Sequence, residues 1–152
     1  MKGFKSIFHQ RLNELLGFEK ITDAALKTGL KVNTLYTYFC GKAVPRAERL
    51  GRIAAGYGVS ADWLAGRIDD RREAVRRLPA AGCREKFTER INALIGGRSS
   101  REIAENSGFS EYVIWEYRKG KNEPGLYALI DMADFFGVSI DYLIGLEAGE
   151  NG

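Results

Sequence analysis

Apolar residues recur along this chain at helical spacing. Phe8, Leu12, Leu15 and Leu16 follow the i, i+4, i+7, i+8 rule of a helix with one buried face, and Ser6 stands where a cap belongs. A short second helix is expected from Thr22 to Thr28, with Thr22 as cap, Asp23 in the first turn and Gly29 as terminator. A third runs from Val32 to Phe39 and stops before Gly41. Past Pro45, a fourth from Ala47 turns Leu50, Ile53 and Ala54 inward; Gly58 breaks it. Ser60 then caps a short fifth helix with Asp62 behind it, while Trp63 and Leu64 pack down. No stretch alternates convincingly with period two, so the pattern predicts an all-α fold.

The pattern then begins again. At one constant offset Phe8 pairs with Phe87, Arg11 with Arg90, Asn13 with Asn92 and Leu15 with Leu94. Ala25 pairs with Ala104, Tyr38 with Tyr117, Gly41-Lys42 with Gly120-Lys121, and Pro45 with Pro124. Gly58-Val59-Ser60 recurs as Gly137-Val138-Ser139; Asp62, Leu64 and Gly66 recur as Asp141, Leu143 and Gly145. No insertion is needed, which predicts two tandem copies of one five-helix unit. The expected domains are 1–67 and 85–147, with a linker over 68–84 and a frayed tail over 148–152. Asp69-Asp70-Arg71-Arg72-Glu73 suits a short surface helix ending before Pro79, and Pro79-Ala80-Ala81-Gly82 a flexible joint.

Composition narrows the classes. No run of about 18 apolar residues exists, which argues against a membrane span. The opening Met1–Ser6 is basic but has neither the apolar core nor the small-residue cleavage site of a secretory signal, so a cytoplasmic, nucleoid-associated protein is expected. Cys40 and Cys83 have no metal-ligand spacing, and the single histidine anchors no metal cluster. Both thiols read as reduced, small packing residues; no cofactor or metal is called for. His9, beside Gln10, reads as a surface residue rather than a catalytic one, and no nucleophile–base pair is visible, so no enzyme is expected. A net charge of +3 says little, but its distribution says more. Residues 1–67 hold 11 Lys/Arg against 5 Asp/Glu, while residues 86–152 hold 7 against 11.

Two short helices around a Gly-led turn, inside a unit of this size, form a helix-turn-helix arrangement. The residues resemble the phage-repressor/Cro-like (XRE) family in particular. Copy one carries Ala24-Ala25, Gly29-Leu30, Leu35, Gly41-Lys42, Pro45 and the run Gly58 to Gly66. Copy two carries Ile103-Ala104, Gly108-Phe109-Ser110, Ile114, Gly120-Lys121, Pro124 and the run Gly137 to Gly145. Many family members have Gln early in the second helix, where these copies have Ile21 and Ser100.

The resemblance implies that the third helix of each unit enters the major groove of DNA. In copy one it assigns Lys31, Val32, Asn33, Thr34 and Thr37 to the groove, with Leu35 and Tyr38 facing the core. Asn33 suits adenine, and Thr34 a hydrogen bond or a thymine methyl; Tyr36 takes either a phosphate or a packing role. Lys27, Lys42 and Arg46 are placed near phosphates. In copy two the equivalent positions are Ser110, Glu111, Tyr112, Val113 and Glu116, with Trp115 between. Arg98, Ser99, Ser100 and Arg101, with Lys119 and Lys121, are the backbone candidates. Phe135, Phe136 and Tyr142 read as core or inter-domain packing, and Asp62 and Asp141 as first-turn acids of separate domains.

The function implied is a transcriptional regulator, a repressor on a double-stranded DNA operator. It acts either as an intramolecular pseudo-dimer or as a homodimer held by the acidic copy two. The alternative is a protein-interaction module, antitoxin-like or a phage-encoded inhibitor, that keeps the fold and offers copy two to a protein partner.

Overall fold

The computed structural model describes residues 6–146. The expected tail at 148–152, with Glu147 and residues 1–5, lies outside them. The described chain is all-helical, and Arg46 and Gly125 form an isolated backbone bridge. Its first five helices are α1 (Ile7–Leu16), α2 (Ile21–Thr28), α3 (Val32–Phe39), α4 (Ala47–Tyr57) and α5 (Ala61–Ala65). The second five are α6 (Cys83–Ile95), α7 (Ser100–Ser107), α8 (Glu111–Lys119), α9 (Leu126–Phe136) and α10 (Ile140–Ile144).

Local chemistry accounts for most helix ends. Ser6, Ser60, Ser99, Ser110 and Ser139 each accept a backbone N–H of the helix they start. Thr22 is a correction: α2 begins one residue earlier, behind Lys20, because Ile21 packs against the core and draws the first turn in with it. The linker is another. Residues 68–82 form no helix, since their backbone is recruited by the first unit. Ser60 donates its N–H to Arg71, Ala74 donates to Gly58, and the Arg71 guanidinium lies 4.9 Å above the Trp63 ring.

The sequence repeat persists at the level of contacts. Arg11 covers Trp63 as Arg90 covers Tyr142, at 5.0 and 4.3 Å from the ring centres. The Asn13 amide donates to the carbonyls of His9 and Phe39; the Asn92 amide donates to those of Thr88 and Arg118. Edge-on aromatic pairs, Phe8 with Tyr38 and Phe87 with Tyr117, occupy matching places. His9 departs from its expected surface place: it is half-buried, and its ring nitrogen meets the Phe39 carbonyl, tying α1 to the end of α3.

The two halves do not stand apart. Their buried residues form one continuous cluster, with α4 packed on α6, α9 and α10, and α5 on α10. The contacts across this seam are reciprocal. Asp62 accepts from the backbone N–H groups of Ile140 (2.8 Å) and Asp141 (3.1 Å). Asp141 accepts from the N–H of Ala61 (2.7 Å), the counterpart of Ile140, and from the Ser60 hydroxyl. Each aspartate, expected to serve its own helix, thus caps the short fifth helix of the other half. Arg46 and Gly125, bridged to each other, are also counterparts at the offset of the repeat. Contacts exchanged between counterparts in this way are the pattern found in isologous contacts.

The seam is tight at Gly51. A Cβ there would lie 2.2 Å from the Cys83 sulfur, so α4 and α6 approach as closely as they do only because the residue is glycine. Burial first, then the Glu48 carboxylate, pushes the Cys83 thiol up to about 12, leaving a neutral packing group. Gly51→Ala is expected to destabilise the chain by about 1–2 kcal/mol, although alanine is the better helix former. Urea titration should show a smaller loss in a Cys83→Ala background; equal losses would mean that the sulfur is not what the methyl meets.

Candidate nucleic-acid interface

The turn between α2 and α3 is built from buried and left-handed residues. Thr28, buried, donates its hydroxyl to the Ala24 carbonyl (2.8 Å) and accepts the Leu30 N–H (3.3 Å). Gly29 turns the chain at φ 70°, a conformation that costs other residues strain. Leu30 plugs the core beneath, and Leu35 and Tyr38 clamp the inner face of α3.

That clamp decides what α3 presents. Lys31, Val32, Asn33 and Tyr36 are exposed, and Thr34 and Thr37 are half-exposed. A hydrogen bond with the Cys40 sulfur raises the Tyr36 hydroxyl above its ordinary pKa. Beside this face opens a cleft of about 570 Å³, lined by Asn33, Thr34, Thr37, Arg46, Arg49 and Glu123. Arg49 and Glu123 carry no sequence signal for this place. Arg49 arrives on the outer side of α4, and Glu123 arrives from the other half.

The basic candidates divide by what already holds them. Lys42 is exposed. Lys27 pairs with Glu19 at 2.8 Å and lies 5.2 Å above the Tyr57 ring. Arg46 donates to the Asn122 side chain (3.0 Å) and the Glu123 carbonyl (2.8 Å), so it joins the halves. The Glu123 carboxylate in turn accepts the Glu48 N–H at the start of α4, at 2.8 Å.

In the second half, Ser110, Glu111, Tyr112, Lys119 and Lys121 are exposed. Tyr112 stacks on Trp115, ring centres 5.9 Å apart, and the Lys121 ammonium lies 5.3 Å above Trp115. Arg98 is turned back onto the carbonyls of Leu94 and Ile95, with its guanidinium over Phe136. Ser99 caps α7, and Ser100 accepts from Arg118. Arg101 makes an exposed pairing with Glu105, of a kind worth under about 1 kcal/mol.

The arrangement of α2, turn and α3 coincides with a family match. Residues 11–64 match the family model for helix-turn-helix. The match supports the XRE-type helix-turn-helix family and points to a DNA-binding regulator. It spans the helix-turn-helix unit of the first half, from within α1 to α5, and stops before α6. No curated protein and no solved structure matches the chain. Among the described residues no helix is long and apolar enough to cross a membrane.

Proposed function

We propose that the chain is a transcriptional repressor that binds its operator as a covalent pseudo-dimer, with α6–α10 serving as a second helix-turn-helix unit. The observation that carries this reading is the reciprocal seam. Asp62 and Asp141 cap each other's helices, and Arg46 bridges Gly125. Under a two-fold relation about that bridge, α8 stands to the axis as α3 does. The segments that follow both helices, 40–46 and 120–125, adjoin that axis. Two reading helices so related meet half-sites about 34 Å apart on one face of a duplex. Because α3 and α8 differ in sequence, the site they recognise is an imperfect palindrome.

Two exposed positions of α3 test it. Asn33 presents an amide that can pair with adenine in both directions, and Thr34 a hydroxyl and a methyl. Asn33→Ala with Thr34→Ala is expected to weaken binding to a selected operator by about tenfold or more, with helicity unchanged by circular dichroism. Undiminished binding would remove α3 from the reading role. Neutralisation of about six phosphates further predicts a log–log salt dependence with slope near −5.

A further inference from the structure

We infer that α8 reads a pyrimidine half-site, in which a thymine methyl packs on the Tyr112–Trp115 ring pair and a neighbouring cytosine amino group donates to Glu111. This rests on the DNA-binding reading above and extends it to the chemistry of the second half-site. The offset of the repeat places Glu111, Tyr112 and Trp115 where α3 carries Val32, Asn33 and Tyr36. Unit one therefore offers an amide where unit two offers a ring.

The ring is not alone. Tyr112 lies 65% exposed and Trp115 38%, their planes only 25° apart, so the pair forms a preassembled apolar plate on the outer face of α8. The apolar feature a base presents in the major groove is the C5 methyl of thymine. Glu111, on the first turn of α8 and exposed, can only accept hydrogen bonds. A carboxylate beside an anionic duplex is repelled unless a base amino group meets it, and cytosine N4 is the donor suited to it. Cations stand beside the pair: Lys121 sits over Trp115, and Lys119 is exposed at the end of α8. Those cations draw phosphates to the flanks of the plate.

The test is selection from a random duplex pool by the full chain and by its Tyr112→Asn variant, folding being checked by circular dichroism. The wild-type chain should recover two unequal halves, one rich in thymine and cytosine on one strand. Tyr112→Asn should turn the thymine position toward adenine and leave the Asn33 half unchanged. Glu111→Gln should relax the cytosine alone. Deoxyuridine in place of that thymidine removes just the methyl; it should weaken wild-type binding about fourfold and leave the Tyr112→Asn variant unaffected. A second half whose bases ignore both substitutions overturns the assignment. A motif confined to the Asn33 half overturns it too, and gives the aromatic plate to a protein partner. No motif in either half overturns the DNA reading itself, so the two failures are distinguishable.

Discussion

Asp62→Ala should destabilise the chain by about 3 kcal/mol, although Asp62 touches no candidate DNA contact. Its carboxylate is buried, accepts two backbone N–H groups at the start of α10, and pairs with Arg67. Alanine leaves those two amides without their acceptor and removes one of the two carboxylates that Arg67 binds, the other being the exposed Asp134. Buried donors deprived of a partner lose about 1–3 kcal/mol each in the worst case, more when a charge is involved. Asp62→Asn keeps one acceptor oxygen and should fall between the two. Chemical denaturation followed by circular dichroism checks both variants. A loss under about 0.5 kcal/mol for alanine would show that the seam is held by its apolar contacts alone. DNA binding should weaken alongside stability, because the same bonds orient α5 against α10 and hence one half against the other.

Lowering the pH from 7 to about 4.5 should stabilise the seam through Asp141, by about 2 kcal/mol. Burial, which outweighs the bonds from Ser60 and Ala61, raises the Asp141 carboxyl to about 6, with Asp62 adding to the rise and Arg76 opposing it. In the unfolded chain that group titrates at the ordinary value of 3.8. Between the two values the folded chain holds a proton that the unfolded chain has lost. The stabilisation is therefore fully present below 3.8 and is lost as the pH rises through about 6. Asp141→Asn, which cannot titrate, should lack this component, so the difference between wild type and variant reports the joint titration of Asp141 and its neighbour Asp62. Equal pH profiles for the two chains would contradict it. The reciprocal pair is thus unequal: Asp62, paired with Arg67, supports the seam at neutral pH, whereas Asp141 bears the penalty of its burial.

Much of the first unit was legible because its signals are local. Val32 to Phe39 is a helix as its pattern predicts, with Leu35 and Tyr38 inward and Asn33 outward, since a 3.6-residue period decides which side chains can reach the core. Serine caps and left-handed glycines were readable for the same reason: a cap bonds within three residues of itself. Thr22 misled because the burial of Ile21 outweighed a possible cap bond. The linker misled because its charge order favours a helix in isolation, while Gly58, Ser60 and Trp63 offered its backbone and its arginine better partners. The fate of Arg46 was hidden similarly. A basic residue beside a reading helix suggests a phosphate, but its guanidinium spans the seam to Asn122 and Glu123, far along the chain.

The all-α class, the repeat in constant register, most helix boundaries and the outward face of α3 follow from local pattern along the chain. All of these depend on periodicity and on contacts within a few positions of the chain. Tertiary structure alone decided that the halves share one core, that Asp62 and Asp141 exchange caps, that Gly51 admits Cys83, and that Glu123 closes the cleft beside α3. The physical reason is range. A hydrogen bond or a packed sulfur between distant parts of the chain leaves no period in the sequence, and either aspartate satisfies the local rules for capping its own helix. Only where the two apolar faces meet does it become settled which helix each carboxylate serves.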